Sequence, residues 1–202
     1  MFKPIQWKTF IRDFVVIQIG FSLFGLSIAL LIQANLGTSP WAVLTVAFSQ
    51  ISGLSPGTLT VLIGFVVLFG ALIMRERIGW GTLCNILFIG PWLDLALWII
   101  PSVKMNLALQ VLMFLAAVLL MGMATAIYIS VDAGAGPRDS LMLALKRTQG
   151  WSVRRARVII EVVVVLAGWL LGGPAGFGTL GFALLIGPAV QWNFRVFNVQ
   201  PH

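Results

Sequence analysis

The chain has 202 residues, of which 59% are hydrophobic and 9% are charged, whereas a soluble domain carries about 25% charged residues. This composition excludes an ordinary soluble domain, because most of the surface must face an apolar medium. The formal net charge of +7 does not indicate nucleic-acid binding, since no basic face remains once the apolar segments lie in lipid. The single cysteine, Cys84, lies in an apolar segment and has no partner for an intrachain disulfide.

Six apolar segments follow one another along the chain, and each is close to the roughly 20 residues that a membrane-spanning helix needs. The fifth segment begins with arginines, whose long side chains reach back to the membrane interface. The sequence therefore predicts an all-α membrane protein with six transmembrane helices. The predicted segments are 14–34, 58–74, 79–100, 105–130, 153–172 and 176–196.

Sequence motifs recur at a constant offset of 97 residues. The Gly-Thr-Ser-Pro motif at 37–40 is followed by Gly-Ala-Gly-Pro at 134–137. A Gly-x-Gly-Thr-Leu motif occurs at 79–83 and again at 176–180, and Ile-Gly-Pro occurs at 89–91 and at 186–188. The chain therefore reads as a single polytopic domain, 1–202, built from internal repeats at approximately 11–97 and 108–194.

Three spans in each repeat have a consequence for topology. An odd number of spans makes the second repeat enter the membrane from the opposite side, which predicts a 3+3 inverted-topology repeat. This architecture recurs in transporters, with the binding site at the repeat interface. The alternative is a duplication that only builds a stable helix bundle.

The distribution of cations predicts the orientation. With the N- and C-termini in the cytoplasm, 12 of the 13 lysines and arginines lie on the cytoplasmic side and only Lys104 lies outside, in agreement with the positive-inside rule. Counting 40–51 and 137–149 as two further spans moves three cations outside, and both segments are too short to cross.

Each of these short segments begins with helix-start signals. Thr38 or Ser39 caps the first, with Pro40 at its first position, and Gly136 caps the second, with Asp139 in the first turn. One interpretation is a half-helix or re-entrant segment in each repeat, with its free N–H groups directed at an anion. The other is a pair of helices that lie flat at the interface.

Proline interrupts the third and sixth spans after Gly90 and Gly187, and it removes a helical hydrogen bond. Broken helices at matching positions predict a transport site, although a packing kink is the alternative. Asp94 follows one turn later, with Gln191 at the matching position, and an ionisable residue inside a span is a candidate for binding a proton, an ion or a substrate. Its alternative role is to pair with an arginine or to cap a kink. Glu161 lies four residues after Arg157, which predicts an ion pair at the cytoplasmic interface.

The candidate substrate- or ion-binding residues come from the helix starts and from the proline-interrupted spans. The sequence contains no metal-ligand cluster, catalytic triad or complete nucleotide-binding loop, so we expect neither an enzyme nor a cofactor. The candidates are Gly37, Thr38, Ser39, Trp41, Asn85, Gly90, Trp92, Asp94, Gly134, Gly136, Arg138, Asp139, Gly187 and Gln191.

Three blocks of sequence carry a family resemblance. They are Ala-Asn-Leu-Gly-Thr-Ser-Pro-Trp at 34–41, Gly-Thr-Leu-Cys-Asn at 81–85 with Ile-Gly-Pro-Trp-Leu-Asp at 89–94, and Asp-Ala-Gly-Ala-Gly-Pro-Arg-Asp at 132–139. In this order they resemble the YczE/YyaS/YitT-like small bacterial membrane proteins. The resemblance covers most of the chain and implies a bacterial inner-membrane protein, without indicating an activity.

The leading hypothesis is a transporter of a small solute, anionic or carboxylate-bearing, that works by alternating access at the repeat interface. A channel of the same architecture is one alternative. Another is a non-transporting membrane partner or substrate-capture subunit, which acts through the basic cytoplasmic loop 138–157. The expected partners are the lipid bilayer, the solute, and a second copy or another membrane protein.

Overall fold

The computed structural model describes residues 7–76 and 78–198, which form eight α-helices and no β-strand. The helices follow one another in the order long, short, medium, long, and this order then repeats. They are α1 (Phe10–Gln33), α2 (Pro40–Ser52), α3 (Pro56–Ile73), α4 (Trp80–Ile99), α5 (Leu107–Ser130), α6 (Pro137–Gln149), α7 (Val153–Leu170) and α8 (Phe177–Val196).

Every helix from α5 to α8 begins and ends 97 positions after its equivalent among α1 to α4. Residues related by this offset are called counterparts below. Local geometry recurs as well: Gly37 and its counterpart Gly134 both have positive φ, at 109° and 123°. Ser55 and Ser152 each cap a helix by accepting a hydrogen bond from a backbone N–H in the first turn. The same local signals therefore build the same four helices twice.

The centre of the molecule is the crossing of α1 and α5, which run antiparallel. The Ser27 hydroxyl donates to the Ala117 carbonyl over 2.7 Å, and Gly20 lies against Ala124 and Tyr128. These contacts are reciprocal, since Ala117 is the counterpart of Gly20 and Ala124 is that of Ser27. α4 packs along α1 and α8 packs along α5, so the equivalent helices of the two halves surround this crossing.

The Gly-x-Gly-Thr motif allows close backbone packing at the starts of α4 and α8. The N–H of Gly81 donates to the Ala133 carbonyl over 3.0 Å, and the N–H of Gly178 donates to the Leu36 carbonyl over 2.7 Å. A Cβ on Gly79 would overlap the Ala133 carbonyl oxygen. Each half thus receives the loop after the first helix of the other half, which makes the two halves interdependent.

The prediction that proline breaks two spans is wrong. Pro91 lies inside a continuous α4 and Pro188 lies inside a continuous α8. Proline lacks one backbone donor, and each helix continues on both sides of it. At Gly90, the backbone of α4 contacts that of α3 at Gly57, an approach too close for any larger residue.

Four of the six expected spans are long and apolar enough to cross a membrane by length and composition, namely α1, α3, α4 and α5. α7 falls short because three arginines and Glu161 lie in its first half, and α8 because Gln191, Asn193 and Arg195 lie in its last turns. The short helices α2 and α6 have 13 residues each, about 20 Å in length, and do not reach across a core of roughly 30 Å.

The contacts between neighbouring helices form an incomplete ring. On one side, α3 contacts α4, α4 contacts α1, α1 contacts α5, and α5 contacts α8. On the other side, α3 contacts both α2 and α6, and each of these contacts α7. α3 packs closely along α4, whereas the equivalent helices α7 and α8 make no extended contact. The ring is therefore open between α7 and α8.

Candidate functional site

A cavity of about 330 Å³ lies between the two halves of the protein. All eight helices contribute residues to its wall. Most of the wall is apolar, but polar and charged side chains gather where α2 and α6 begin. This composition, an apolar cavity with a few convergent polar groups, is typical of a small-molecule site.

The two short helices begin at this cavity and face each other. Trp41 is the second residue of α2, and its counterpart Arg138 is the second residue of α6. The Arg138 guanidinium lies over the Trp41 ring, 4.7 Å from its centre. The N-termini of α2 and α6 therefore meet at one place, where their partial positive charges favour an anion.

Arg138 has no hydrogen bond or ion pair within residues 7–76 and 78–198, and its guanidinium makes a cation–π contact with the Trp41 ring. A guanidinium carries five N–H donors in a planar arrangement that matches a carboxylate or a phosphate. Arg138 also lines the cavity. Its guanidinium is therefore a candidate group for binding an anion in the cavity.

Tyr128 fixes the start of α6 from the neighbouring α5. Its hydroxyl oxygen accepts a hydrogen bond from the N–H of Gly136 at 2.7 Å, and its hydroxyl donates to Asp139 Oδ2 at 3.4 Å. Tyr128 is 5% exposed, so this arrangement is held rigidly.

Asp139 is open to the cavity and also lies among packed helices. The Asp139 carboxylate lies next to Arg138 in the chain, and both side chains line the cavity. Protonation of Asp139 would remove the negative charge next to Arg138.

The remaining charged groups of the cavity come from α7. Arg157 Nε and Glu161 Oε1 form an ion pair at 2.9 Å, which confirms the pair predicted from their spacing. Both residues line the cavity, a location that their interpretation as an interfacial pair did not include. The Asn85 side chain of α4 adds a neutral polar group to the same wall.

The structure brings together six of the fourteen candidate residues. Those that line the cavity are Ser39, Trp41, Asn85, Gly136, Arg138 and Asp139. The other eight lie outside its lining and are Gly37, Thr38, Gly90, Trp92, Asp94, Gly134, Gly187 and Gln191.

Asp94 is engaged as a cap of α3. Its Oδ2 accepts from the Ser55 hydroxyl at 2.5 Å, and its Oδ1 accepts from the N–H of Gly57 at 2.7 Å. Trp92 joins α4 to α1 through a hydrogen bond of 3.2 Å from its Nε1 to Gln18 Oε1. Both side chains therefore hold helices together in this structure and do not face the cavity.

The other candidates outside the lining belong to turns, to the interior or to an open face. Gly37 and Gly134 adopt positive φ and pack against the first residues of α8 and α4. Thr38 is fully buried next to the start of α2. Gln191 is exposed, and the position of a Cβ on Gly187 is open space.

Tyr128 was not among the candidates, although one signal pointed to it. It is the single tyrosine of the chain and lies in a segment that is otherwise apolar, nine residues before the start of α6. Its contact with Gly136 depends on how the loop after α5 folds back toward α5, which no pattern within α5 reveals. Within residues 7–76 and 78–198, no three or more His, Cys, Asp or Glu side chains are grouped so that they could hold a metal ion.

Residues 11–195 match a family that is described as "Family of unknown function (DUF6198)". The chain belongs to the DUF6198 family. The Bacillus subtilis "Uncharacterized membrane protein YczE" is 32% identical over 190 residues, which cover 94% of this chain and 85% of that protein. An "Uncharacterized protein" of Haemophilus influenzae is 31% identical over 196 residues, 97% of this chain and 89% of the relative.

The relatives also include the B. subtilis "Uncharacterized protein YyaS", 30% identical over 165 residues, 80% of this chain and 82% of YyaS. The resemblance to the YczE and YyaS proteins is thereby confirmed. Together with the four apolar helices, the similarity to a membrane protein makes this chain a multi-pass membrane protein. No solved structure matches it.

Proposed function

We propose that this protein is a membrane transporter, not an enzyme, and that it carries a small anionic solute through the cavity between its two halves. The observation that carries the proposal is Arg138. It lies over Trp41, without a hydrogen bond or ion pair to any residue that the structure describes, at the point where the N-termini of α2 and α6 face each other. Two helix N-termini and one guanidinium supply positive potential and N–H donors for a carboxylate or a phosphate.

The acidic side chains nearby limit how tightly the anion is held. With all groups ionised, Asp139 and Glu161 balance Arg138 and Arg157 in the cavity. A bound anion therefore gains from Arg138 while it is repelled by Asp139. Moderate binding suits a carrier, because a solute that is held too tightly is not released.

The topology proposed with this function is a six-span inverted repeat. Antiparallel packing of the equivalent helices α1 and α5 and the common offset of all helix bounds support it. In this arrangement α2 and α6 are re-entrant half-helices that enter from opposite faces and meet near the midplane. The positive-inside rule then favours both termini in the cytoplasm of a bacterial cell, with the protein in the inner membrane.

Transport then follows from movement of one half against the other. The halves meet along the α1–α5 crossing and at the loops that precede α4 and α8. Rocking about this interface would change which face of the membrane the cavity opens to, while the site at Arg138 stays between the halves.

The test compares two arginines that both lie over a tryptophan ring. Arg138 lines the cavity, whereas Arg155 lies over Trp151, 5.1 Å from the ring centre, and is exposed. We would measure the melting temperature of the purified protein with acetate, benzoate, decanoate and inorganic phosphate, for the wild type, Arg138→Gln and Arg155→Gln.

We expect at least one of these anions to stabilise the wild type and Arg155→Gln. We expect its affinity to fall at least tenfold in Arg138→Gln, because hydrogen bonds to charged groups contribute about 1.5–3 kcal/mol. Accumulation of the same anion in proteoliposomes should show the same dependence. An anion that stabilises all three proteins equally, or that binds without being transported, would overturn the proposal.

A further inference from the structure

The opening of the helix ring between α7 and α8 is encoded in the sequence. On the other side of the molecule, α3 approaches α4 closely because glycines lie at the contact: a Cβ on Gly57 or Gly90 would overlap the opposing backbone. Gly64 also faces α4, at Ile86. The counterparts of Gly57, Gly64 and Gly90 are Arg154, Glu161 and Gly187.

Two of the three glycines at the contact between α3 and α4 are thus replaced by long charged residues in α7. Such residues prevent the backbone of α7 from approaching that of α8. Gly187, the counterpart of a glycine in tight contact, has no atom within 4 Å of the position that its Cβ would take. The gap between α7 and α8 therefore follows from the residues that replace these glycines in the second half.

This gap leads into the cavity. Arg157 and Glu161 of α7 line the cavity on one side of the gap, and Val190 and Phe194 of α8 line it on the other. Because the gap lies between two helices of the ring, it opens sideways, toward the region that lipid occupies in the proposed topology. A ligand can then reach the cavity from within the bilayer.

The wall of the cavity along α8 is apolar and continuous. Phe182, Ile186, Val190 and Phe194 recur every four residues, so they lie in a row on one face of the helix, and all four line the cavity. The charged groups Arg138 and Arg157 come from α6 and α7 instead. One part of the cavity thus suits a charged group, and the row on α8 suits an apolar chain.

We infer that the anion is an amphiphile, with one carboxylate or phosphate head and one apolar chain, and that it enters the cavity sideways through the gap between α7 and α8. In this arrangement the head binds Arg138 at the meeting point of α2 and α6, while the chain lies along the row on α8. The inference rests on the proposed function and names its class of substrate.

The first test is the dependence of affinity on chain length. The probes are acetate, hexanoate and decanoate, with inorganic phosphate and decyl phosphate as a second head group, and binding is measured on protein in lipid nanodiscs. We expect affinity to rise about fourfold for each methylene that the cavity accommodates. Decylammonium, which has the same chain and the opposite charge, serves as the control for non-specific partition into lipid and should not depend on Arg138.

The second test narrows the gap. Gly187→Phe adds bulk at an open position on α8, and Gly70→Phe adds the same bulk at an open position on α3. We expect Gly187→Phe to slow the association of decanoate at least tenfold in stopped-flow fluorescence, while Gly70→Phe has no effect. Both variants should fold, because neither new side chain meets a neighbouring atom near its Cβ.

The outcomes separate this inference from the proposed function. Affinity that does not depend on chain length, or association that Gly187→Phe leaves unchanged, would overturn the amphiphile and its sideways path while leaving an anion transporter. Failure of every anion to bind, short or long, would overturn both.

Discussion

Two aspartates among the candidate residues, Asp94 and Asp139, have different environments in the structure. Both carboxylate oxygens of Asp94 accept hydrogen bonds from the start of α3. Asp139 has a longer contact with Tyr128 and is open to the cavity beside Arg138. The same residue type therefore holds two helices together in one place and sets the charge of the site in the other.

Asp94→Asn should reduce stability and leave anion binding within about twofold of the wild type. The amide nitrogen cannot accept the hydrogen bond that one carboxylate oxygen receives, and a buried group left without its partner costs about 1–3 kcal/mol. Thermal unfolding and the affinity for the best-binding anion would be measured together.

Asp139→Asn is the matched control for that substitution, and we expect the opposite pattern. It removes a negative charge next to Arg138, so anion affinity should rise while the melting temperature changes little. Loss of anion binding in Asp94→Asn at an unchanged melting temperature would contradict this assignment of roles.

At the scale of the helices, equivalent elements differ in what they contact. α4 and α8 share a Gly-x-Gly-Thr start and an internal Gly-Pro, and both are continuous helices of 20 residues. α4 packs against both α1 and α3, whereas α8 packs against α5 and leaves a gap to α7. The difference follows from the residues that replace the glycines of α3, and it opens the cavity on one side.

Gly90→Ala and Gly187→Ala make the same change at counterpart positions. A Cβ at Gly90 would overlap the carbonyl oxygen of Gly57, whereas the position at Gly187 is open. We expect Gly90→Ala to destabilise the protein by about 1–3 kcal/mol, as overpacking does.

Gly187→Ala should be neutral or slightly stabilising, since alanine is favoured over glycine in a helix. The comparison is made by thermal unfolding of both variants in the same detergent. Equal losses of stability would show that α8 packs against α7 as closely as α4 packs against α3.

At the scale of the whole molecule, the two halves form one unit in which each contributes one short helix to a shared site. The loop after α1 packs on the start of α8, and the loop after α5 packs on the start of α4. A half on its own would lack the short helix of the other half. It would also lack the loop of the other half that packs on the start of its last helix. The site therefore exists only when both halves are assembled.

The proposed topology predicts which residues are reachable from each side of the membrane. Lys104 and Lys146 are both exposed in the structure and lie on opposite faces in the six-span arrangement. In a Cys84→Ala background, Lys104→Cys should react with a membrane-impermeant maleimide in intact cells, and Lys146→Cys should react only after permeabilisation. Equal labelling of both from one side would contradict the inverted repeat.

The sequence by itself determined the helices, because their start and stop signals are local. The proline at the first position of α2 and α6, and the recurrence of motifs every 97 residues, predict two short helices and two matching halves. The same local signals misled at Pro91 and Pro188, because a proline removes one donor and the loss of one hydrogen bond does not end either helix.

The tertiary structure alone decided which polar residues share a site. Arg138 and Trp41 are 97 positions apart, and they meet only because α1 and α5 cross antiparallel and bring the starts of α6 and α2 together. Tyr128 joins the site, and Asp94 does not, for the same reason: the direction of a side chain depends on the helix against which its own helix packs. Periodicity describes one helix at a time, whereas a cavity between eight helices depends on all of their contacts.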